Sequence, residues 1–227
     1  MNPINGATHR EGTGGLQIDG GRDGATAPIL PPVRAAVKPR ADRDQAADLL
    51  AVLGLDRGLI QVKCFDRASK LRLYWHDSPA ALLRDWPRLE ATNRAGYGVY
   101  FGVATYRERE GTKDKTAWLW TLHADLDGKD YAGKGDWRAG KALALDMIAN
   151  LPDDLQPAAL VDTGHGIHAY WPLAAPLPAT AENIAAVEAV NAALADFLDS
   201  DPAVKDVSRV LRLPGLANNN CDWLENP

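Results

Sequence analysis

The 227-residue chain predicts an α+β fold, on three observations. Segments whose apolar residues recur at every second position alternate with segments where they recur every three or four. Short charged or glycine-bearing turns join several of the strand-like segments, which makes hairpins rather than a strict βαβ order. With 46% hydrophobic and 24% charged residues, the chain can fill a sizeable core and still carry an ordinary surface.

Residues 1–40 are rich in Gly, Pro, Ala and Arg and lack periodicity, so they read as a disordered or loosely attached leader. From Asp42, the spacing of Ala46, Leu49, Leu50 and Leu53 predicts an amphipathic helix that the Gly54 region ends. Leu59 to Phe65 and Leu71 to Trp75 predict two strands. Ser78 as N-cap and Pro79 at the first position predict a helix through Leu83, with Pro87 expected to kink or end any continuation. Gly96 to Tyr106 is strand-like and aromatic. Arg107 to Lys115 is a charged turn, pairing that strand with Trp118 to Gly128 as a hairpin. A glycine loop (Gly133, Gly135) leads into a helix from Asp136 to Asn150, which Pro152 and Asp153-Asp154 break. Ala158 to Val161 predicts a short strand. The turn Asp162 to Gly166 leads into a strand Ile167 to Trp171, closed by Pro172. Thr180 caps an Ala-rich helix to about Leu198.

Composition bounds the function. No apolar run approaches the ~20 residues of a membrane helix, and the first residues lack the apolar region of a signal peptide. Two scattered cysteines, Cys64 and Cys221, support neither a disulfide framework nor a Cys-based zinc site, which suggests a reducing, cytoplasmic compartment. Net charge is −5, but residues 1–120 carry 18 basic against 14 acidic side chains, and residues 121–227 carry 7 against 16. A basic half that can meet phosphates beside an acidic half that needs cations is compatible with a metal-dependent nucleotide enzyme. Scatter along a solvated surface explains the split equally simply.

Three motifs carry chemistry. On the strand from Trp118, period two places Trp118, Trp120, Leu122, Ala124 and Leu126 on one face, and Thr121, His123, Asp125 and Asp127 on the other. Two like charges side by side are best tolerated where a cation sits between them, so Asp125 and Asp127 form a candidate metal pair. A calcium loop is excluded, because Lys129 and Asp130 stand where it needs a third oxygen ligand and a glycine. The second motif is Thr163-Gly164-His165-Gly166-Ile167-His168-Ala169-Tyr170-Trp171. Its glycines suit a tight turn with exposed N–H groups that could cradle phosphate, and His168 shares a face with Tyr170. The third runs from Asp206 through Arg209 and Arg212 to Leu213-Pro214-Gly215: one carboxylate, then two guanidiniums suited to phosphate. Each alone has a structural reading as a turn, a core histidine or an internal ion pair.

Together, in this order, the three motifs resemble the archaeo-eukaryotic primase superfamily, most nearly the primase-polymerases of phages, plasmids and other mobile elements. The match spans roughly Gly96 to Asn220. It implies an RNA-recognition-motif-like (palm-like) catalytic sheet with packed helices over residues 96–227, and a smaller α/β module over 41–95, together one catalytic domain over 41–227. It further implies Asp125, Asp127 and Asp206 as ligands of two Mg²⁺ or Mn²⁺ ions, and His168 as a contact to the phosphates of the incoming nucleotide. Thr163, Gly164, His165 and Gly166 then shape the nucleotide turn, and Arg209 and Arg212 neutralise phosphate. The implied activity is template-directed synthesis or extension of primers from NTPs or dNTPs on single-stranded DNA, with Lys63, Arg67, Lys70 and Arg72 tracking the strand and Tyr100 and Tyr106 leading toward the nucleotide. Two other readings stay open: a catalytically idle single-strand-binding initiator module, and a template-independent palm-type cyclase or oligonucleotide synthetase. Because such relatives continue into a helical segment and often a helicase, the chain is expected to be a fragment of a longer replication protein.

Overall fold

A computed structural model describes residues 41–132 and 135–219. The expected leader over 1–40 and Cys221 lie outside these residues.

Helix α1 (Arg43–Leu53) begins where the Asp42 carboxylate accepts the Asp44 amide and ends at Gly54, whose φ is +86°. Strands β1 (Leu59–Phe65) and β2 (Leu71–His76) follow as an antiparallel pair. The Ser78 hydroxyl accepts the Ala81 amide to open α2 (Pro79–Arg84). Pro87, expected as a breaker, instead lies in the first turn of a further helix, α3 (Trp86–Arg94), where a missing N–H costs nothing. Next come β3 (Gly98–Tyr106) and β4 (Thr116–Asp127). The expected glycine loop opens with a short helix, α4 (Gly128–Ala132), before α5 (Trp137–Ala149). The chain continues through β5 (Ala159–Asp162), β6 (Gly166–Pro178) and α6 (Ala181–Phe197) to β7 (Val210–Arg212), a strand the tail did not predict. Strand β6 runs on beyond Pro172, which sits opposite Thr121 where the β4–β6 register shifts and a missing donor is tolerated.

Among the described residues the fold is a seven-stranded antiparallel sheet with six α-helices, in the order β2-β1-β3-β4-β6-β5, with β7 added to β3. Strands β1 and β2 belong to the same sheet as the rest. The side chains of α1–α3 (Leu49, Leu50, Leu82, Trp86, Leu89) share one core with Ile60, Val62, Val99, Phe101 and Tyr170. Residues of α5 pack on Ala124, Leu126, Ile167 and Ala169, and α6 contributes Val187 against Ala104 and Leu119.

The feature that builds the site is a fork. Strand β3 meets β4 only through Ala104–Leu119, Thr105–Trp118 and Tyr106–Thr116. Beyond that, β3 pairs with β7 (Tyr100–Arg212, Phe101–Leu211, Gly102–Val210), while β4 follows β6 from Thr121 to Asp127. The free edge of β4 is met by α6 and the 3₁₀ turn Pro202–Lys205. The His123 amide donates to Asn191 Oδ1 (3.1 Å), and the Asp201 amide points at the Asp125 carbonyl (3.4 Å).

The fork comes with an irregularity in β4 that corrects the period-two reading. Trp118 and Trp120 pack into the α1–α3 core, with the Trp120 indole donating to Thr105 Oγ1, whereas Leu122 packs with α6 and Ala124 and Leu126 with α5. The five residues do not share a face, because the register shift between Leu119 and Thr121 reverses the alternation. The polar set after the shift stays together.

Candidate functional site

On β4 and β6, cross-strand partners form a polar layer inside the sheet: His123 faces Tyr170, and Asp125 faces His168. Asp125 is partly buried and the other three are buried; His168 is 5% and His123 1% exposed. His168 Nε2 lies 3.5 Å from Asp125 Oδ1. This is not an ion pair. Burial, then the Arg212 charge, push the imidazole down to about 3, so it is neutral at any working pH. Burial also raises the Asp125 carboxyl to about 6, with the neighbouring Asp127 as the next cause and the Arg209 charge opposing both. His123 is held neutral as well, pushed down to about 4 by burial, and its Nε2 donates to the Val204 carbonyl at 2.8 Å.

Three buried polar atoms in this layer have no hydrogen-bond partner: His168 Nδ1, His123 Nδ1 and the Tyr170 hydroxyl. Unsatisfied groups are costly in a core, and their clustering beside a protonatable carboxylate marks a place where a ligand or water completes the bonding. Asp127 sits at the end of β4, paired with the Lys129 ammonium. The next residue is Gly128, which crosses Gly140 of α5 so closely that a Cβ on Gly140 would lie 1.8 Å from the Gly128 carbonyl. Glycine at both positions is what lets α4 and α5 seat against the end of the carboxylate strand.

The third motif divides. Arg209 exerts its charge on Asp125, His123 and His168. Arg212, 7% exposed, stacks on the Tyr100 ring (4.9 Å), donates to its hydroxyl (3.0 Å) and acts on His168. Both arginines therefore act on the polar layer through their charge. Asp206 acts on the layer through its charge on His123, and its own bonds go to other groups. Its carboxylate accepts from Ser208 N and Oγ (both 2.7 Å) and pairs with Lys113 at 2.9 Å, which Glu188 also holds. Burial pushes this carboxyl up, but the bonds from Ser208 and Lys113 outweigh it and leave it below the usual range. Among the described residues no three His, Cys, Asp or Glu side chains are grouped to hold a metal.

The glycine turn differs from its expectation. Gly164, at φ +98°, donates its N–H to Asp162 Oδ1 (2.8 Å), and Gly166 donates to Thr163 Oγ1 (3.0 Å), so neither N–H is free for phosphate. Lys141 Nζ holds the turn through Asp162 (2.6 Å) and the Gly164 carbonyl (3.3 Å), and Asn218 donates to the Thr163 carbonyl (2.6 Å). His165 stands edge-on to the Trp137 ring at 4.6 Å. Tyr106 is fully buried and edge-on to Trp75, a core residue and not a nucleotide contact.

No family model matches the chain, and no curated protein matches it. Solved structures do. The chain is similar to a crystal structure of primase RepB' (18% identity, TM-score 0.53), with 82% of this chain and 54% of that one covered. It is also similar to the catalytic domain of primase RepB' in complex with initiator DNA (19% identity, TM-score 0.51), covering 82% and 80%. The fold is that of a primase catalytic domain. The chain spans about half the length of the first of these primases. The primase fold agrees with the primase-polymerase resemblance of the three motifs, and the polar layer lies on β4 and β6, beside the fork where β4 parts from β3. No helix among the described residues is long and apolar enough to cross a membrane.

Sequence reasoning misses four residues that border the site. Lys113 and Asp201 lie in segments that read as a turn and a helix end. His123 and Tyr170 fall on the right faces by period two, but without the strand pairing nothing joins them to Asp125 and His168. The Asp201 amide meets the Asp125 carbonyl at 3.4 Å, and its charge acts on both Asp125 and Asp130.

Proposed function

We propose that the chain is a template-directed nucleotidyltransferase, a primase-polymerase that makes or extends primers on single-stranded DNA from nucleoside triphosphates. One observation carries the reading: in a primase fold, Asp125, two residues from Asp127, faces a buried neutral His168 in a layer that feels the charge of two arginines and holds unsatisfied polar atoms. This donor set fits Mg²⁺ or Mn²⁺, since all-oxygen, half-buried carboxylates suit a hard cation and the raised Asp125 carboxyl is a charge awaiting neutralisation. Asp125 and Asp127 would hold the ions, the substrate's phosphates and water completing their shells. Asp206, paired with Lys113, would be the third carboxylate. Divalent metal so held supplies charge neutralisation and lowers the pKa of the attacking hydroxyl.

The chain's own groups do the rest. Arg209 and Arg212 present fixed positive charge to the triphosphate, and Arg212 is held for this by Tyr100. His168, neutral and buried, can donate one N–H to a phosphate oxygen without adding charge to a site already rich in it. That DNA is the nucleic-acid partner is supported by the complex of the similar primase catalytic domain with initiator DNA.

Primer extension tests the reading. With Mg²⁺ or Mn²⁺, a primed template and dNTPs, the protein should extend the primer, and Asp125→Ala with Asp127→Ala should abolish extension. Extension undiminished in the double variant overturns the assignment. Product formed without template would point to a cyclase or oligonucleotide synthetase, and DNA binding without any incorporation to an idle initiator module.

A further inference from the structure

At the opposite edge of the sheet from β5, strand β2 and helix α3 enclose an open groove of about 590 Å³, lined by Arg72, Leu73, Tyr74, Arg88, Ala91 and Thr92. Its two guanidiniums are held in place by aromatic rings. Arg72 lies 4.2 Å over Tyr97; Arg88 lies 4.4 Å over Tyr74, whose hydroxyl is in turn fixed to Thr92 Oγ1 at 3.0 Å. These partners are neutral, so they orient the arginines without cancelling their charge. The carboxylates nearby in the chain are engaged elsewhere: Asp85 with His76, Glu90 with Arg94, and Asp66 with the amides of Ala68 and Lys70. Among the described residues neither Arg72 nor Arg88 has a carboxylate partner.

Two oriented guanidiniums without a carboxylate partner, backed by tyrosine rings, are complementary to the phosphates along a nucleic-acid strand. The groove lies three strand positions from β4, on the order of 14 Å at ~4.8 Å per strand, so it is not part of the carboxylate site. We propose that the Arg72–Arg88 groove is a second, non-catalytic binding site for the phosphodiester backbone of single-stranded DNA. The choice of DNA as partner rests on the proposed function; the groove's geometry does not.

The test is binding of a fluorescent oligothymidine strand by anisotropy, in EDTA, across a salt series. Replacing both groups (Arg72→Gln with Arg88→Gln) should weaken binding and flatten the slope of log K against log salt by about 1.4, near 0.7 for each single-strand phosphate that is no longer neutralised. Between about 50 and about 200 mM salt the variant should then lose roughly sevenfold less affinity than the wild type. The charge-keeping pair, Arg72→Lys with Arg88→Lys, should restore the wild-type slope. A slope as shallow as that of the glutamine pair would assign the loss to packing and overturn the proposal, as would an unchanged slope in the glutamine pair or no DNA binding by the wild type. A labelled nucleoside triphosphate should bind wild type and glutamine pair alike; its loss in the variant would give the groove to free nucleotide instead. Binding is read without metal or incorporation, so a chain that binds DNA through this groove but extends no primer refutes the polymerase reading and leaves the groove standing.

Discussion

Replacing Asp125 by Asn should make the metal-free protein more stable, an outcome opposite to that of most substitutions in a buried site. The Asp125 carboxyl sits near 6 in the fold against an ordinary 3.8, a rise caused by burial and then by Asp127. At about 1.4 kcal/mol per unit, holding it ionised costs the fold about 3 kcal/mol, an upper bound because a quarter of the side chain still touches solvent. The sign follows from linkage. A carboxyl with a raised folded pKa contributes stability that is whole below about 3.8 and lost as pH rises through about 6. Asn keeps the shape and never ionises. The two proteins should therefore melt alike near pH 4 in EDTA, and above pH 7 the Asn variant should melt higher by roughly 6–12 °C, at 2–4 °C per kcal/mol for a domain of this size. Added Mn²⁺ should raise the wild-type midpoint and move the variant's much less. An Asn variant that melts below the wild type at pH 7.5, or a difference independent of pH, refutes the buried-charge account.

Asp206→Asn should act with the opposite sign, lowering stability at neutral pH because it breaks the bonds from Lys113 and Ser208, an effect that fades as pH falls through the depressed carboxyl's range; paired melts in acid and at pH 7 decide it. His168→Ala should cut incorporation by about 100-fold and raise the KM for nucleotide, measured by steady-state primer extension, while DNA binding in EDTA is kept. Gly140→Ala should destabilise the fold by about 2–3 kcal/mol in urea melts, since its methyl meets the Gly128 carbonyl and not a side chain that can rotate away.

The sequence shows most of the elements because their signals are local. The side chains of Asp42, Ser78, Asp136 and Thr180 each accept an amide at the start of the helix they precede, and the strands through Phe65, Trp75 and Tyr106 fall where alternation puts them. Two kinds of information are not local. A register shift in β4 reverses which way Trp120 and Leu122 point, and nothing in the run Trp118 to Asp127 signals it, since both faces are filled with residues that bury well. Strand β7 is three residues long and exists because β3 and β4 part, a fact about pairs far apart in the chain. The resemblance assigns Arg209 and Arg212 to the nucleotide because its motif carries them in order. It cannot say that the Gly164 and Gly166 amides are taken up by Asp162 and Thr163, since those bonds depend on how the turn closes.

The fork explains why the two outer carboxylates and the inner one behave differently. Asp127 ends its strand within reach of Lys129, and Asp206 lies beyond the free edge of β4 within reach of Lys113, so each has an ammonium of its own. Asp125, one residue pair further inside, faces an imidazole that burial and Arg212 keep uncharged, and among the described residues it has no lysine bonded to it. A neutral partner can orient a carboxylate but cannot offset its charge. Below about pH 6 a proton removes the charge of Asp125; above it, under the proposed function, a cation would offset that charge, and the phosphates it brings would supply acceptors that His168 Nδ1 and the Tyr170 hydroxyl lack. On that reading metal and triphosphate would each satisfy what the other leaves open, and neither alone would satisfy both.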